Sequence, residues 1–388
     1  MAPNGHRAAT AAGLAIGTAV GYNIANVGPA AEVISNAYGV RLGAVGFLTT
    51  ALFVTHLVMQ IPAGRLVDRR DARVLAGIAL LVIACGNVVA LTVASFPVGI
   101  VARLIVGLGT GIGFVAGSDY VRATVGSTTA QGFYGAAGVG GGGLAIAIVP
   151  LTTSALDWRA PFITALVFAG VVLAWLPFTP REPEARRGVA QSARVRTGDI
   201  VRDRRLYPLA VAHTASFGFS VIIGNWAVSL LEHDGYGRRL AGIVAALTLL
   251  AGFVTRPLGG RAFQVWGVRA APLLAWSMLF GAGGTVLLLL DLPLGVRIVG
   301  AALLGLAAGV PFAVSFSGAQ AIRPDGPGAA IGFINSCATL VIAVGTPLVG
   351  LTFTGTGNGR AGFAAIAALW ALSAAAVLPS RLPRIRAG

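Results

Sequence analysis

Twelve stretches of this chain are each about 20 residues long, apolar nearly throughout and separated by short polar breaks. They run at roughly 11–33, 43–65, 74–94, 97–117, 131–153, 160–178, 208–231, 240–261, 271–290, 293–315, 329–351 and 362–379. A bilayer core about 30 Å thick is crossed by about 20 residues of helix. Inside it a helix satisfies its backbone within one segment, and Gly or Pro is tolerated where neighbouring helices take up the freed groups. Only 11% of the 388 residues are charged, where a soluble domain carries about 25%, so a soluble fold could not hide the apolar remainder. The fold class expected is an all-α membrane protein with twelve transmembrane helices. The first stretch is as long as a full span and lacks a small-residue cleavage site, so it reads as a retained span and not a signal peptide.

The chain also repeats itself. Gly64-Arg65-Leu66-Val67-Asp68-Arg69-Arg70-Asp71-Ala72-Arg73 is echoed 196 residues later by Gly260-Arg261-Ala262-Phe263-Gln264-Val265-Trp266-Gly267-Val268-Arg269, both at the end of an apolar stretch. Gly107-Leu108-x-x-Gly111-x-x-Phe114 returns as Gly305-Leu306-x-x-Gly309-x-x-Phe312, 198 residues on, and Pro150-Leu151 as Pro347-Leu348, 197 on. Near-constant offsets mean a duplicated six-helix unit, and parallel duplication is how many secondary transporters build a site between two rocking halves. The domains expected are an amino-terminal half over 1–179, a cytoplasmic linker over 180–207 and a carboxy-terminal half over 208–388.

All 28 Lys-or-Arg positions are Arg. The absence of Lys excludes a P-loop lysine and a Schiff-base lysine, and with them Walker-type ATP hydrolysis and pyridoxal chemistry. No cofactor is expected, and the energy source is a gradient. The net charge of +15 does not point to nucleic acid, because its distribution follows a membrane. With the amino terminus inside, twenty Arg fall on cytoplasmic segments and six on outer loops, while Arg103 and Arg256 lie within spans. The positive-inside rule then puts both termini and the linker in the cytoplasm of a multi-pass inner-membrane protein. The linker, mixing eight Arg with Glu182, Glu184, Asp199 and Asp203, reads as a solvated connector on an anionic leaflet. Cys85 and Cys337 lack the paired spacing of a metal or redox site. No His-Glu-x-x-His, Gly-x-Ser-x-Gly or intramembrane Asp pair supports catalysis.

Gly64, Asp68, Arg69 and Arg73 match the signature that the major facilitator superfamily carries between its second and third spans. Arg103-x-x-x-Gly107-x-Gly109 matches its signature in span 4, and Asp157-Trp158-Arg159-x-Pro161-Phe162 matches the usual start of span 6. The chain resembles that family over its whole length. Asp71 and Ala72 depart from the first signature, where Gly and Arg are usual, which weakens the cytoplasmic lock that the resemblance implies and leaves the fold intact. In the family a carboxylate at the place of Asp68 holds the cytoplasmic side closed in the outward-facing state. Physically, Asp68 ends a span where it can meet Arg and the positive end of a helix; the other reading is a surface ion pair of little worth. Its echo is Gln264, which cannot make the charged contact.

Arg256 stands eight residues before Gln264, which is about 12 Å along the helix and not far from the midplane. An intramembrane Arg costs a few kcal/mol unless a cavity or partner receives it, so it either meets an anion or snorkels to the inner interface. Thr255-Arg256-Pro257-Leu258-Gly259-Gly260 resembles the eighth span of the nitrate and nitrite porters, whose Arg there is half of an anion clamp. The other half sits in span 2 where this chain has Gln60, again eight residues before Asp68. The two-arginine clamp is broken, which points to a different monoanion or a carboxylate and away from nitrate.

Tyr22, Asn23 and Asn26 in span 1, Asn225 and Trp226 in span 7, and Asn335 and Ser336 in span 11 are further candidates for a solute cavity, since polar groups this deep face the bundle interior. Arg103 is expected to organise span 4 against span 1. Span 5 carries a small-residue stripe through Gly132, Gly135, Gly138 and Gly140 to Gly143; Gly138 and Gly142, with Gly107, read either as gating positions or as close packing. No Asp or Glu lies near the middle of a span, which disfavours a drug/proton antiporter. His56 and His213 are the candidate proton carriers, and anion exchange, which needs no titrating group, is equally open. The function expected is secondary active transport of a small solute, an anion first, by exchange or proton symport. Efflux of drug-like or neutral compounds, and a membrane receptor or intramembrane enzyme, are the alternatives. The partners expected are the solute and the bilayer, with the carrier a monomer.

Overall fold

The computed structural model describes residues 3–67, 70–125, 128–181, 197–265, 270–323, 327–354 and 357–380, and these contain no strand. The long helices are α1 (Pro3–Ala25), α2 (Leu42–Val67), α3 (Ala72–Leu91), α4 (Phe96–Thr124), α5 (Thr128–Leu156), α6 (Ala160–Trp175), α7, α8 (Arg238–Val265), α9 (Ala270–Leu289), α10 (Leu294–Ile322), α11 (Pro327–Leu351) and α12 (Arg360–Val377). α7 runs over Tyr207–His213 and Ser220–His233, with a π turn at Thr214–Phe219 between them.

Among the described residues eleven stretches are long and apolar enough to cross a membrane. One of them, Gly132–Phe178, has 47 residues, about 70 Å of helix against a bilayer core of about 30 Å. It breaks at Asp157, whose φ of 51° is rare for a residue with a Cβ, and there α5 gives way to a 3₁₀ turn and α6. Twelve crossings result. The 34-residue stretch Gly5–Tyr38 holds one crossing only, because the helix Ala31–Tyr38 is 8 residues long. The sequence places the end of the first span near 33, but α1 stops at Ala25: Pro29 has no N–H to continue the helix and sits in the first turn of a new one, Gly28–Ala30.

The duplication is visible as packing. Where α4 crosses α2, Gly107 lies against Leu52 and Thr55, and Gly111 against His56 and Met59. Where α10 crosses α8, Gly305 lies against Leu247, Thr248 and Ala251, and Gly309 against Gly252 and Thr255. Positions 196 apart meet equivalent neighbours, which makes Gln60 and Arg256 structural mates. The pairs α3–α4, α3–α6 and α1–α5 recur as α9–α10, α9–α12 and α7–α11. The two six-helix halves meet along α5–α8 and α2–α11, contacts that a pseudo-twofold operation exchanges.

Lipid tails are as apolar as Leu, so helices associate in a bilayer through close van der Waals approach, and glycine permits it. Gly43 abuts Gly350 and Gly46 abuts Pro347 along α2–α11, while Gly143 abuts Leu250 and Gly242 abuts Pro150 along α5–α8. Thr50 Oγ1 reinforces the first pair by donating to the Ala343 carbonyl at 2.5 Å.

Charges tie the carboxy-terminal half at the end away from the termini. Arg297, which the sequence places in an outer loop, is fully buried on α10, and it pairs with Asp234 at 2.5 Å and Asp291 at 3.0 Å. Asp234 also takes Arg360 at 2.7 Å, so one carboxylate joins the end of α7 to the starts of α10 and α12. At the opposite end the last part of the expected linker is no free connector. Ile200 and Leu206 are buried among Leu209, Ala319, Ile322, Ala330 and Ile334, and Arg205 beside Asp203 holds that carboxyl below the usual carboxylate range.

Close approach at the two crossings gives a direct test. Gly107→Leu and Gly305→Leu place side chains on backbone carbonyls and should abolish monodisperse protein in detergent, whereas Gly170→Leu, where a Cβ meets nothing within 4 Å, should leave yield and melting temperature near parent values. Parent-like behaviour of Gly107→Leu would contradict the packing described.

Candidate functional site

α8 carries Arg256 into the interior, where its side chain is 4% exposed. Nη1 donates to the Gly135 carbonyl of α5 at 2.6 Å, across the boundary between the halves, and the guanidinium lies 3.9 Å from the ring centroid of Phe312 on α10. Among the described residues no carboxylate pairs with it, and its Nε has no hydrogen-bond partner. A carbonyl and a ring face answer only part of a guanidinium's five donors, so this cation is held incompletely satisfied. Gln60, its mate on α2, is half-buried, and its amide reaches the His56 carbonyl one turn back at 3.5 Å, too long to fix it.

Phe312 connects Arg256 to a second group. His213, fully buried at the start of the π turn, sits 5.6 Å from Phe312, 5.0 Å from Phe316 and 5.7 Å from Phe217, centroid to centroid. Its Nε2 lies 3.2 Å from Oδ1 of Asn335 on α11. Ser216, inside the π turn, donates to the Ala308 carbonyl of α10, so the widened turn is pinned on α10 while it presents His213 and Phe217 to the same aromatic group. π turns recur at functional sites. Arg256 and His213 therefore meet on Phe312, with Asn335 bonded to the imidazole.

The other candidates fall into separate places. Asn225 accepts from Thr49 at 3.1 Å and its backbone abuts Gly28, while Trp226 donates to the Thr346 carbonyl at 2.8 Å and stacks on Phe353. Asn225 is built into the contact between the halves, whereas Trp226 is held by partners in its own half. Asn26 accepts from Arg103 at 3.1 Å and donates to the Pro161 carbonyl at 2.8 Å. Arg103 also donates to the Asn23 carbonyl at 2.8 Å, and Asn87 donates to the Asn23 side chain at 2.8 Å, so four helices of the first half meet in one polar knot. Tyr22 stacks on Phe168 of α6. His56 bonds Thr110 of α4 at 3.1 Å and touches Phe53 and Phe114.

Gly138 and Gly142 line the α1 side of α5, where Gly21 abuts the Gly138 backbone, and Gly107 forms the α2–α4 crossing. Arg73 donates to the Thr179 carbonyl at 2.6 Å and the Pro177 carbonyl at 3.2 Å, closing the end of α6. Asp71, the departure from the family signature, caps α3 through the Arg73 amide at 2.9 Å. Gly64 lies in α2, and Asp68 and Arg69 lie outside the described residues. Sequence reasoning missed Phe316, Phe217, Asn87 and the Gly135 carbonyl, and noted Phe312 only as a repeat anchor.

A sequence model of the Major Facilitator Superfamily matches residues 13–346. No curated protein matches the chain. Among solved structures, the crystal structure of a D-xylose-proton symporter superposes with a TM-score of 0.77 at 16% identity, covering 97% of this chain and 98% of that one. A single-residue mutant of the nucleoside transporter NupG superposes at 0.72 with 15% identity, covering 94% and 98%. At such identities the likeness is one of fold.

Arg103 and Arg256 separate by experiment. Arg103→Leu leaves the Asn26 side chain and the Asn23 carbonyl without their donor, at about 1–3 kcal/mol for each unsatisfied group, so the melting temperature should fall clearly. Arg256→Gln surrenders one bond to a backbone carbonyl and should melt close to the parent. Equal melting of Arg103→Leu and parent would remove the knot from the account.

Proposed function

The chain belongs to the Major Facilitator Superfamily and is a multi-pass membrane transporter, and from that premise we propose that it carries a small anion by alternating access with Arg256 as the charge-recognising residue. The observation that carries this reading is the buried guanidinium that lacks a carboxylate among the described residues. A fixed ion pair would satisfy Arg256 permanently; a carbonyl and a phenyl face leave it ready for a mobile anion. The broken two-arginine clamp, with Gln60 at the mirror position, favours a carboxylate or another monoanion over nitrate.

The same contact supplies a mechanism. Nη1 of Arg256 holds α8 to α5 through the Gly135 carbonyl. An anion competes for that donor through a stronger, charge-assisted bond and loosens α5 from α8 on the side of the termini, while the glycine contacts of α2 with α11 and the Asn225–Thr49 bond hold the other side shut. The two halves, 1–179 and 208–388, rock about this pair of seams. Neither His56 nor His213 is exposed, so exchange of one anion for another fits this geometry at least as well as symport with a proton. The Arg asymmetry supports cytoplasmic termini in an inner membrane.

A neutral solute is the second reading, since one structural neighbour is a D-xylose-proton symporter and the other a nucleoside transporter. Arg256 would then serve only to join the halves. Binding separates the readings: Arg256→Gln should weaken anion binding about ten- to a hundredfold, the worth of a charge-assisted bond, with folding retained. Gln60→Arg should rebuild a clamp and favour planar anions. Parent-like anion affinity in Arg256→Gln removes the assignment. For orientation, a cysteine at Asn358 should label from outside; labelling only from the cytoplasm would reverse the topology.

A further inference from the structure

His213 has one nitrogen too few in contact. An amide oxygen only accepts, so with Oδ1 of Asn335 facing Nε2 at 3.2 Å, Nε2 carries the hydrogen and Nδ1 is left as a lone pair. Among the described residues no donor meets that lone pair, although the side chain is fully buried. Buried acceptors are nearly always matched. On the same Phe312 ring rests the guanidinium of Arg256, with its Nε–H also unmatched. One phenyl thus separates an unanswered cation from an unanswered acceptor; Asn335 is held by His213 and Ser216 by Ala308, while among the described residues the buried hydroxyls of Thr255, Ser315 and Thr339 on the same helices are also unmatched.

We infer that Arg256 and His213 form the two ends of one site, whose ligand is an organic monoanion carrying its own hydrogen-bond donor. The carboxylate goes to Arg256, and a hydroxyl or amino hydrogen on the same molecule goes to Nδ1 of His213. This rests on the anion reading of Arg256 and adds the substrate class. Nitrate and halides have no donor, and a neutral polyol has no charge, so each answers only one end. The guanidinium and the imidazole lie 3.9 and 5.6 Å from the Phe312 centroid, so both ends fall within reach of one small molecule, and the simplest that carry both groups are 2- and 3-hydroxy acids and their amino counterparts.

The test uses the purified full chain in detergent and matched acids that differ by one hydroxyl: propanoate against 2-hydroxypropanoate, and butanoate against 3-hydroxybutanoate, by titration calorimetry at fixed pH. A site built to bond a hydroxyl rejects the analogue that lacks it, so the parent should prefer the hydroxy acid in at least one pair by roughly tenfold or more. In His213→Phe that preference should vanish while the affinity for the unsubstituted acid holds; His213→Leu gives the same reading if the larger ring misfolds. Arg256→Gln should lose both members. Equal binding within both pairs, or a preference that survives loss of the imidazole, overturns the inference while leaving the anion reading in place if Arg256→Gln still abolishes binding. Proton uptake by His213 without hydroxyl preference also overturns it, in favour of a coupling role. If no acid binds the parent, or if Arg256→Gln binds them all, the anion reading falls and this inference with it.

Discussion

A guanidinium held inside an apolar bundle, with no carboxylate beside it among the described residues, is the constraint around which the rest of this structure is arranged. Water cannot reach it, and insertion of an Arg at bilayer depth costs a few kcal/mol even with help. The fold answers with a ring face from α10 and a single carbonyl from α5. That carbonyl belongs to the opposite half. This incompletely satisfied charge is therefore also a tie across the boundary between the halves.

Where Arg256 is half-answered, Arg297 shows fuller provision, and Arg103, whose Nε is also unmatched among the described residues, has two partners within its own half. Arg103 spends its donors on Asn26 and the Asn23 backbone, with Asn87 closing the group behind it. Arg297 has two carboxylates. Each stiffens one half as a unit, which rocking requires, because two bodies exchange contacts cleanly only if each keeps its shape. The seam between them carries a few hydrogen bonds, such as Thr50–Ala343 and Thr49–Asn225, but its close approaches come from glycine at Gly43–Gly350, Gly46–Pro347 and Gly143–Leu250. Such contacts rest on dispersion and can be broken and remade without stranding a buried polar group.

Much of the fold was legible because a bilayer restricts the answer: length and hydropathy place the helices, and the 196- to 198-residue offsets impose the pseudo-symmetry later seen in the crossings of Gly107 and Gly305. Arg256 was legible for the same reason, being a charge within an apolar run. Its partners were not. The Gly135 carbonyl is backbone and leaves no mark in sequence, and the π turn that aims His213 has no residue signature. Asn225 and Trp226 read as cavity residues because depth and polarity are visible, whereas the Thr49 and Thr346 groups that occupy them belong to other helices. Arg297, counted with the outer loops although it falls at the start of the stretch 293–315, is buried against Asp234, 63 residues away.

Distance between α5 and α8 near the termini tests the central claim most directly. Spin labels at Phe133 and Leu258, both exposed on their helices, in a background lacking Cys85 and Cys337, report that separation in the absence of any solute. If Arg256 ties the halves through Gly135, Arg256→Gln shifts the distribution to longer distance and broadens it relative to the parent labels. Superimposable distributions for the two proteins would show that the guanidinium holds nothing together and would contradict the account.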